Sequence, residues 1–411
     1  MLKKIIVGFF LFFSIVVIAQ DGDSSPYSFY GIGDKRFRGS VENRSMGSVA
    51  NIPDSIHFNI QSPATYSSLQ RMTFNVAGNH NIRSMKTNSA SGTTSRTTFD
   101  YLTFAIPTGK LVLAFGLNSL TSVGYKIESI QPQGITDFQR YTGEGGVNRL
   151  FLGAGYQLTN TFSLGVDLNY DFGSITTKRD VFKNEVQYGT QELNKSNLSG
   201  FNFNIGALYK TKIKRYDFFT SVTFTPETTL ESLNERSFST ISWTGVLQET
   251  QDAVIDNSSL VTPRKLIFGA GFGDKMSWIV SGEVTMEGTS KLSNLYTDIS
   301  NTSYENATKF AIGGYFIPNY RSFTSFWDLV TYRAGFRYEN TGLIIKDQAI
   351  NDYALSLGLG IPVGRNFSNV NIGFEYGSRG TKRADLIKEN YFNILIGLSI
   401  SDKWFVRSKY D

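Results

Sequence analysis

Cysteine is missing from the 411 residues and histidine nearly so, with only His57 and His80 present. The first absence excludes disulfide frameworks, thiol nucleophiles, thiolate metal sites and an N-terminal lipid carried on cysteine. The second starves any transition-metal site of ligands, and no twelve-residue calcium loop stands in for one. A serine hydrolase would need a histidine oriented by a third polar group. His80 shares parity with the apolar Met72, Phe74 and Val76, and His57 has no partner legible in the chain. The reading is therefore a non-enzyme without metal or cofactor. Long apolar runs are also scarce: with 40% hydrophobic residues and a mean hydropathy of -0.17, the chain is no bundle of membrane helices. Lys and Arg exceed Asp and Glu by 40 to 35, giving +5, but form no basic stripe suited to nucleic acid.

One apolar run does occur. Lys3 and Lys4 precede an unbroken stretch from Ile5 to Ile18, and the small residues Val17 and Ala19 come before a polar sequence. That order describes a secretory signal peptide over 1–19 with cleavage after Ala19, too short to span a bilayer comfortably.

Beyond about residue 70 the chain alternates with period two. In the last segment Phe392, Ile394, Ile396, Leu398 and Ile400 share one face, while Asn393, Leu395, Gly397 and Ser399 share the other. Val370, Ile372, Phe374 and Tyr376 alternate with Asn371, Gly373, Glu375 and Gly377 in the same way. A soluble sandwich alternates too, but a soluble chain this long divides into domains of about 100 to 150 residues, and no linker appears here. Strands of about ten residues or more fit tilted membrane strands. Aromatic residues near strand ends, Tyr27, Tyr30, Trp278, Trp327, Tyr391 and Trp404, suit interfacial girdles.

Turn parity supplies a strand count. Short connections recur at Pro107–Lys110, Leu158–Asn160, Lys212–Lys214, Gly273–Lys275 and Pro362–Arg365. They alternate with longer polar stretches around 84–96, 126–144, 180–195, 227–258, 288–306, 341–349 and 379–388. Seven loops imply seven hairpins, hence an all-β, single transmembrane antiparallel barrel of about fourteen strands over 69–401, with both termini periplasmic. Ser237 to Trp243 is strand-like within the longest loop; parity assigns it to a hairpin whose arms extend beyond the membrane. Residues 20–68 are not a strand series and are expected to occupy the lumen, and 402–411 to form a periplasmic tail.

The stretch Ser25-Pro26-Tyr27-Ser28-Phe29-Tyr30-Gly31-Ile32-Gly33-Asp34, then Arg44-Ser45-Met46-Gly47, then Asn59-Ile60-Gln61-Ser62-Pro63-Ala64-Thr65-Tyr66, resembles the N-terminus of FadL-type outer-membrane proteins. The ending Ser401 to Tyr410 resembles FadL-like members of gliding and gut bacteria. The resemblance implies a plug, or hatch, closed by an Asn-Pro-Ala motif, which here reads Ser62-Pro63-Ala64. It also implies passage of a hydrophobic, long-chain fatty acid-like molecule from extracellular loops into the lumen, with sideways exit through a kinked third strand. On that strand Gly116 and Asn118 are the candidates for the kink.

By parity, Phe219, Ile267, Ile279 and Tyr315 face the lumen, and Met46, Phe58 and Tyr66 add from the hatch; together they are the candidate ligand contacts. The charged Asp167, Asp171, Glu283, Glu287, Arg333, Arg337, Glu339 and Glu375 also face inward, because a charge on the lipid side costs about 2–4 kcal/mol near the midplane. The expected protein is an outer-membrane monomer whose partners are membrane lipid, a hydrophobic small molecule and, during biogenesis, the barrel-assembly machinery. Two other functions stay open: a secretion-associated or structural barrel of the PorV type, acting as scaffold or shuttle with a secretion complex, and a general porin.

Overall fold

The computed structural model describes residues 25–130, 138–184, 186–292, 301–363 and 368–402. The expected signal peptide, residues 20–24 of the expected lumen segment, Trp404, most of the tail 402–411 and residues 364–365 of the Pro362–Arg365 turn lie outside them.

After a two-residue strand β1 (Asp34–Lys35), eighteen further strands follow: β2 (Met72–Lys86), β3 (Ser91–Thr108), β4 (Leu111–Ile130), β5 (Phe138–Gln157), β6 (Phe162–Phe182), β7 (Tyr188–Ile213), β8 (Tyr216–Thr225), β9 (Thr228–Ser242), β10 (Leu247–Ala253), β11 (Ser258–Thr262), β12 (Lys265–Asp274), β13 (Trp278–Glu287), β14 (Thr302–Tyr304), β15 (Ala307–Phe316), β16 (Thr331–Ile345), β17 (Gln348–Val363), β18 (Ser368–Arg379) and β19 (Lys388–Asp402). Three crossings are broken into pieces. β8 continues as β9 past Pro226, β10, β11 and β12 succeed one another, and β14 leads into β15. Counted by crossing, they form a closed antiparallel barrel of 14 strands. Closure is made by β19 on β2, from Lys388 opposite Lys86 to Asp402 opposite Met72.

Alternation decides which face is which. In β6 Phe162, Leu164, Val166, Leu168, Tyr170 and Phe172 are exposed outward, while Ser163, Asp167, Asn169 and Asp171 are fully buried inward. Leu150, Leu152, Phe201, Phe203, Phe268, Phe310, Ile312, Leu355 and Leu357 extend the outward belt around the barrel. A closed sheet with an apolar outer belt and a polar interior leaves no backbone group unpaired in hydrocarbon, and this is a transmembrane barrel.

The two ends differ. One carries short turns, such as Gly109–Lys110 and Lys214–Arg215, with Gly109 and Lys214 at φ 78° and 58°. At the other end, the loop end, several strands run well past the belt. β4 reaches Ile130 and β5 begins at Phe138, where the sequence pattern suggests a loop over 126–144. The reading of 341–349 as a loop is also corrected: β16 and β17 meet at a two-residue turn, Lys346–Asp347, with φ of 49° and 60°. The stretch Ser237–Trp243 is the upper part of the β9–β10 hairpin, which stands beyond the belt.

Residues 25–71 lie inside. A turn of 3₁₀ helix, Pro26–Phe29, is capped by Ser25, whose hydroxyl donates to Glu389 at 2.7 Å. One turn of α-helix, Val41–Arg44, has a reciprocal cap between Ser40 and Asn43. A second 3₁₀ segment, Pro63–Ser68, precedes the first barrel strand. None of these could be stable alone in water; wall contacts hold them. Tyr27, Tyr30 and Tyr391, expected in the lipid girdle, instead face the interior, because the first two belong to this segment and Tyr391 sits on the inward parity of β19.

Candidate functional site

The interior segment meets the wall where glycine makes room. A Cβ on Gly165 of β6 would overlap the backbone of Pro63 and Ala64, and one on Gly335 of β16 would overlap Met46 and Gly47. The backbone of the segment therefore lies directly on the sheet on two sides of the barrel. Two apolar clusters fill in around these contacts. Phe58 and Tyr66 pack with Phe151, Tyr101 and Leu395. Met46, Val49, Ile52 and Ala64 pack with Phe219, Ile279 and Tyr315.

Six of the seven candidate ligand contacts, Met46, Phe58, Tyr66, Phe219, Ile279 and Tyr315, thus serve as packing between segment and wall. Ile267 alone among them lines the interior cavity, which has a volume of about 290 Å³. Its lining is mixed: seven arginines, three lysines and five carboxylates stand among aliphatic and aromatic side chains such as Ile32, Leu120, Tyr304 and Leu343. In the motif, Pro63 and Ala64 lie against Gly155, Gly165 and Gly206, and Ser62 leaves its helix without a side-chain cap, accepting instead from the Thr223 hydroxyl at 3.3 Å.

Ion pairs stitch the segment to the wall. Arg38 reaches Asp167 of β6 at 2.9 Å, Lys35 reaches Glu287 of β13 at 2.8 Å, and Asp34 pairs with Arg379 of β18. Arg44 grips Glu375 of β18 with two nitrogens, at 3.1 and 3.3 Å. Further donors add to this: Ala50 N–H and the Gln61 side-chain amide both donate to Glu283 at 2.9 Å, and Gly47 N–H donates to Ser356 at 2.9 Å. Leaving one charge of the buried pairs Arg38–Asp167 and Arg44–Glu375 without its partner costs about 3–5 kcal/mol, so these pairs hold the segment in one register. The sequence reading placed the wall carboxylates inward but missed the cations Arg36, Arg38 and Arg44 facing them. The signal available was the charge density of residues 34–44 in a stretch with no strand pattern.

His57 does have partners, contrary to the sequence reading. Its Nδ1 lies 2.7 Å from Asp54, and its Nε2 lies 3.3 Å from the Asn369 amide and 3.9 Å from Glu42. Burial opposes the charged imidazole, but Asp54, with Glu42 behind it, outweighs burial and Arg333, and the net direction is upward. Burial likewise opposes the Asp54 carboxylate. The His57 charge and hydrogen bond, aided by the amides of Ile56 and His57, bring it down to about 2. His80 faces outward and meets the Thr97 hydroxyl at 2.8 Å.

The wall has one parting beside this segment. β3 and β4 pair from Thr108 opposite Leu111 only as far as Tyr101 opposite Asn118. Beyond that point β3 goes on with β2 to Ser91 and β4 goes on with β5 to Ile130. β4 carries an irregularity at Leu120, between Ser119 and Thr121, where its register on β5 shifts. Gly116 and Asn118, the sequence candidates for a kink, are at the last paired positions below it, and Asn118 is the final residue facing β3. The interior segment fills the parting. β1 takes the free edge of β4, with Asp34 opposite Ser122 and Lys35 opposite Thr121, and Arg36 N–H donates to Leu120 at 2.9 Å. The same Arg36 reaches across to β3, donating to the Thr98 hydroxyl at 3.2 Å beside Asp100 at 3.9 Å.

A family model described as BamG matches residues 1–411. The chain belongs to the BamG family. Among solved structures, this BamG-family chain is similar to the toluene transporter TodX of Pseudomonas putida, with a TM-score of 0.62 at 14% identity over 90% of this chain and 100% of that one. The toluene transporter TbuX of Ralstonia pickettii gives 0.58 at 13% identity over 89% and 99%. A FadL homologue of Pseudomonas aeruginosa gives 0.56 at 11% over 91% and 100%. No curated protein matches by sequence. The FadL-type resemblance is therefore one of architecture, and the family to which the sequence belongs is BamG.

Proposed function

We propose that this chain is a sealed outer-membrane barrel that serves as a membrane-embedded scaffold in outer-membrane barrel assembly. The observation that carries the sealed half is the interior segment, fastened to opposite sides of the wall by buried ion pairs and backbone-on-glycine contacts. A hydrophobic passenger would have to pass seven guanidinium and five carboxylate groups set among the aliphatic and aromatic side chains of the lining, and displacing water from such charges is costly. The assembly half is supported by the family description, BamG, which hints at a relation to barrel assembly. In this reading the loop end is extracellular, the short turns and both termini are periplasmic, residues 20–68 are the plug, and partners dock on the outer surface of a rigid barrel.

One observation favours a second reading, lateral passage of a hydrophobic small molecule as in the transporters of similar fold. It is the parting of β3 from β4, which the segment closes through β1, Arg36 and the Ser28 hydroxyl, the last accepting from Gly124 N–H at 3.1 Å. Native mass spectrometry of the detergent-purified protein, with affinity purification from its own membranes, separates the two. The scaffold reading expects stoichiometric recovery with barrel-assembly subunits and an interior free of small molecules. A stoichiometric apolar ligand with no protein partner would replace it with the transporter.

A further inference from the structure

The outer wall carries a recess apart from the interior segment and the β3–β4 parting. At the upper margin of the apolar belt, Phe224 of β8, Leu266 of β12 and Met286 of β13 sit opposite one another in a single row across three strands. All three are outward and roughly half exposed. The row continues to Thr308 of β15. Above it the wall opens into a recess of about 420 Å³, bounded by Arg264, Lys265, Gly288 and Asn306. Gly288 matters for its shape, because a Cβ there would press on the Arg264 side chain at 3.1 Å.

Two cations at this recess are incompletely neutralised. Among the described residues, the Arg264 guanidinium has no hydrogen-bond or ion-pair partner, and the Lys265 ammonium feels Glu287 electrostatically without a direct ion-pair contact. The neighbouring carboxylate, Glu287, is already held by Lys35 at 2.8 Å. Lys265 lies on the inward parity of β12, yet it lines both this recess and the interior cavity, because the β12–β13 pairing ends at Lys265 opposite Glu287. An unpaired cation at the edge of hydrocarbon is costly unless an anion meets it. This pair sits where a headgroup would lie, with an apolar row beneath it at the depth of an acyl chain.

We propose that this recess is a binding site for an anionic lipid of the loop-end leaflet. Phosphate oxygens lie between Arg264 and Lys265, and an acyl chain runs down over Phe224, Leu266 and Met286. The inference does not depend on whether the lumen is sealed or conducting.

The test is native mass spectrometry of the full chain, stripped of lipid in detergent and titrated with phosphatidylglycerol, with phosphatidylcholine of the same chains, and with inorganic phosphate. Phosphatidylglycerol is expected to bind in a discrete one-to-one complex that phosphatidylcholine does not form. Arg264→Ala and Lys265→Ala should each weaken it by roughly fivefold, the scale of one basic residue at a membrane surface, and Arg264→Glu should weaken it more. Arg215→Ala, at an exposed cation of the turn end, should leave it unchanged. Heat-modifiable gel mobility checks that each variant has folded. Equal retention of both lipids, equal loss in Arg215→Ala, or displacement of phosphatidylglycerol by millimolar inorganic phosphate alone overturns the proposal.

Discussion

At the scale of single residues, the interior segment depends on what the wall omits as much as on what it offers. Gly335 and Gly165 leave room for the backbone at Met46 and at Pro63. Gly335→Val should therefore expel the Met46 turn while leaving the barrel closed. The expected outcome is rapid proteolysis within residues 40–70 with heat-modifiable mobility retained; an unchanged digestion pattern would mean that the strand yields instead. The His57–Asp54 pair gives a second prediction, with a sign. His57 is raised above its ordinary 6.5, so its contribution is full below that pH and is lost as pH rises through the raised value. Asp54 is lowered from 3.8 to about 2, so its contribution is present above 3.8 and is lost as pH falls through about 2. Docking of the segment around residue 57 should be firmest between these limits and loosen on the alkaline side. Hydrogen exchange of residues 50–60 should quicken from pH 6 to 9 in the wild type beyond the ordinary base catalysis of exchange, and His57→Asn should remove that excess.

At the scale of elements, strands were legible wherever one face met lipid and the other did not. In β19 the alternation of Phe392, Ile394, Ile396 and Leu398 with Asn393, Gly397 and Ser399 is a direct print of two solvents. Past the belt both faces are wet, the period-two signal fades, and the upper parts of β4, β5, β6 and β7 read as loops although their backbone pairing continues. The interior segment was legible as something other than a strand, but its contacts were not. The acceptors for Arg38, Arg44 and Lys35 are 129, 331 and 252 positions away in sequence, and only closure of the ring brings them near. The apolar candidates suffered from the same limit: parity places Phe219 and Ile279 inward but cannot distinguish a face turned to empty space from one turned to Met46. The β1–β4 pairing can be tested with thiols, since the chain has no cysteine of its own. Lys35→Cys with Thr121→Cys joins residues directly opposite in an antiparallel pair, a Cα separation of about 5 Å that a disulfide tolerates. Oxidation in intact membranes should give near-complete cross-linking detectable by gel mobility. A free thiol pair after oxidation would show that β1 does not reside on β4.

At the scale of the whole molecule, the segment is expected to set permeability. Deleting residues 25–68 from the mature chain should raise single-channel conductance in planar bilayers by about an order of magnitude or more, since a 14-stranded ring of this width encloses space that side chains alone do not fill. Equal conductance with and without the segment would mean that the wall closes by itself.

The barrel's upper edge is uneven. Glu231 of β9 is level with Phe172, the last residue of the β6 belt, through the shared neighbour Ser199. From there β9 climbs to Ser242, about 35 Å of strand at 3.3 Å per residue, whereas β13 stops at Glu287 and β18 at Arg379 near the belt's margin. In a crowded membrane this makes the molecule directional. A bulky neighbour can lean over the lower rim at β18 but meets a parapet on the side of β6, β7 and β9. The protein's heading within the bilayer, and not only its surface chemistry, then selects which bodies can stand next to it and on which side.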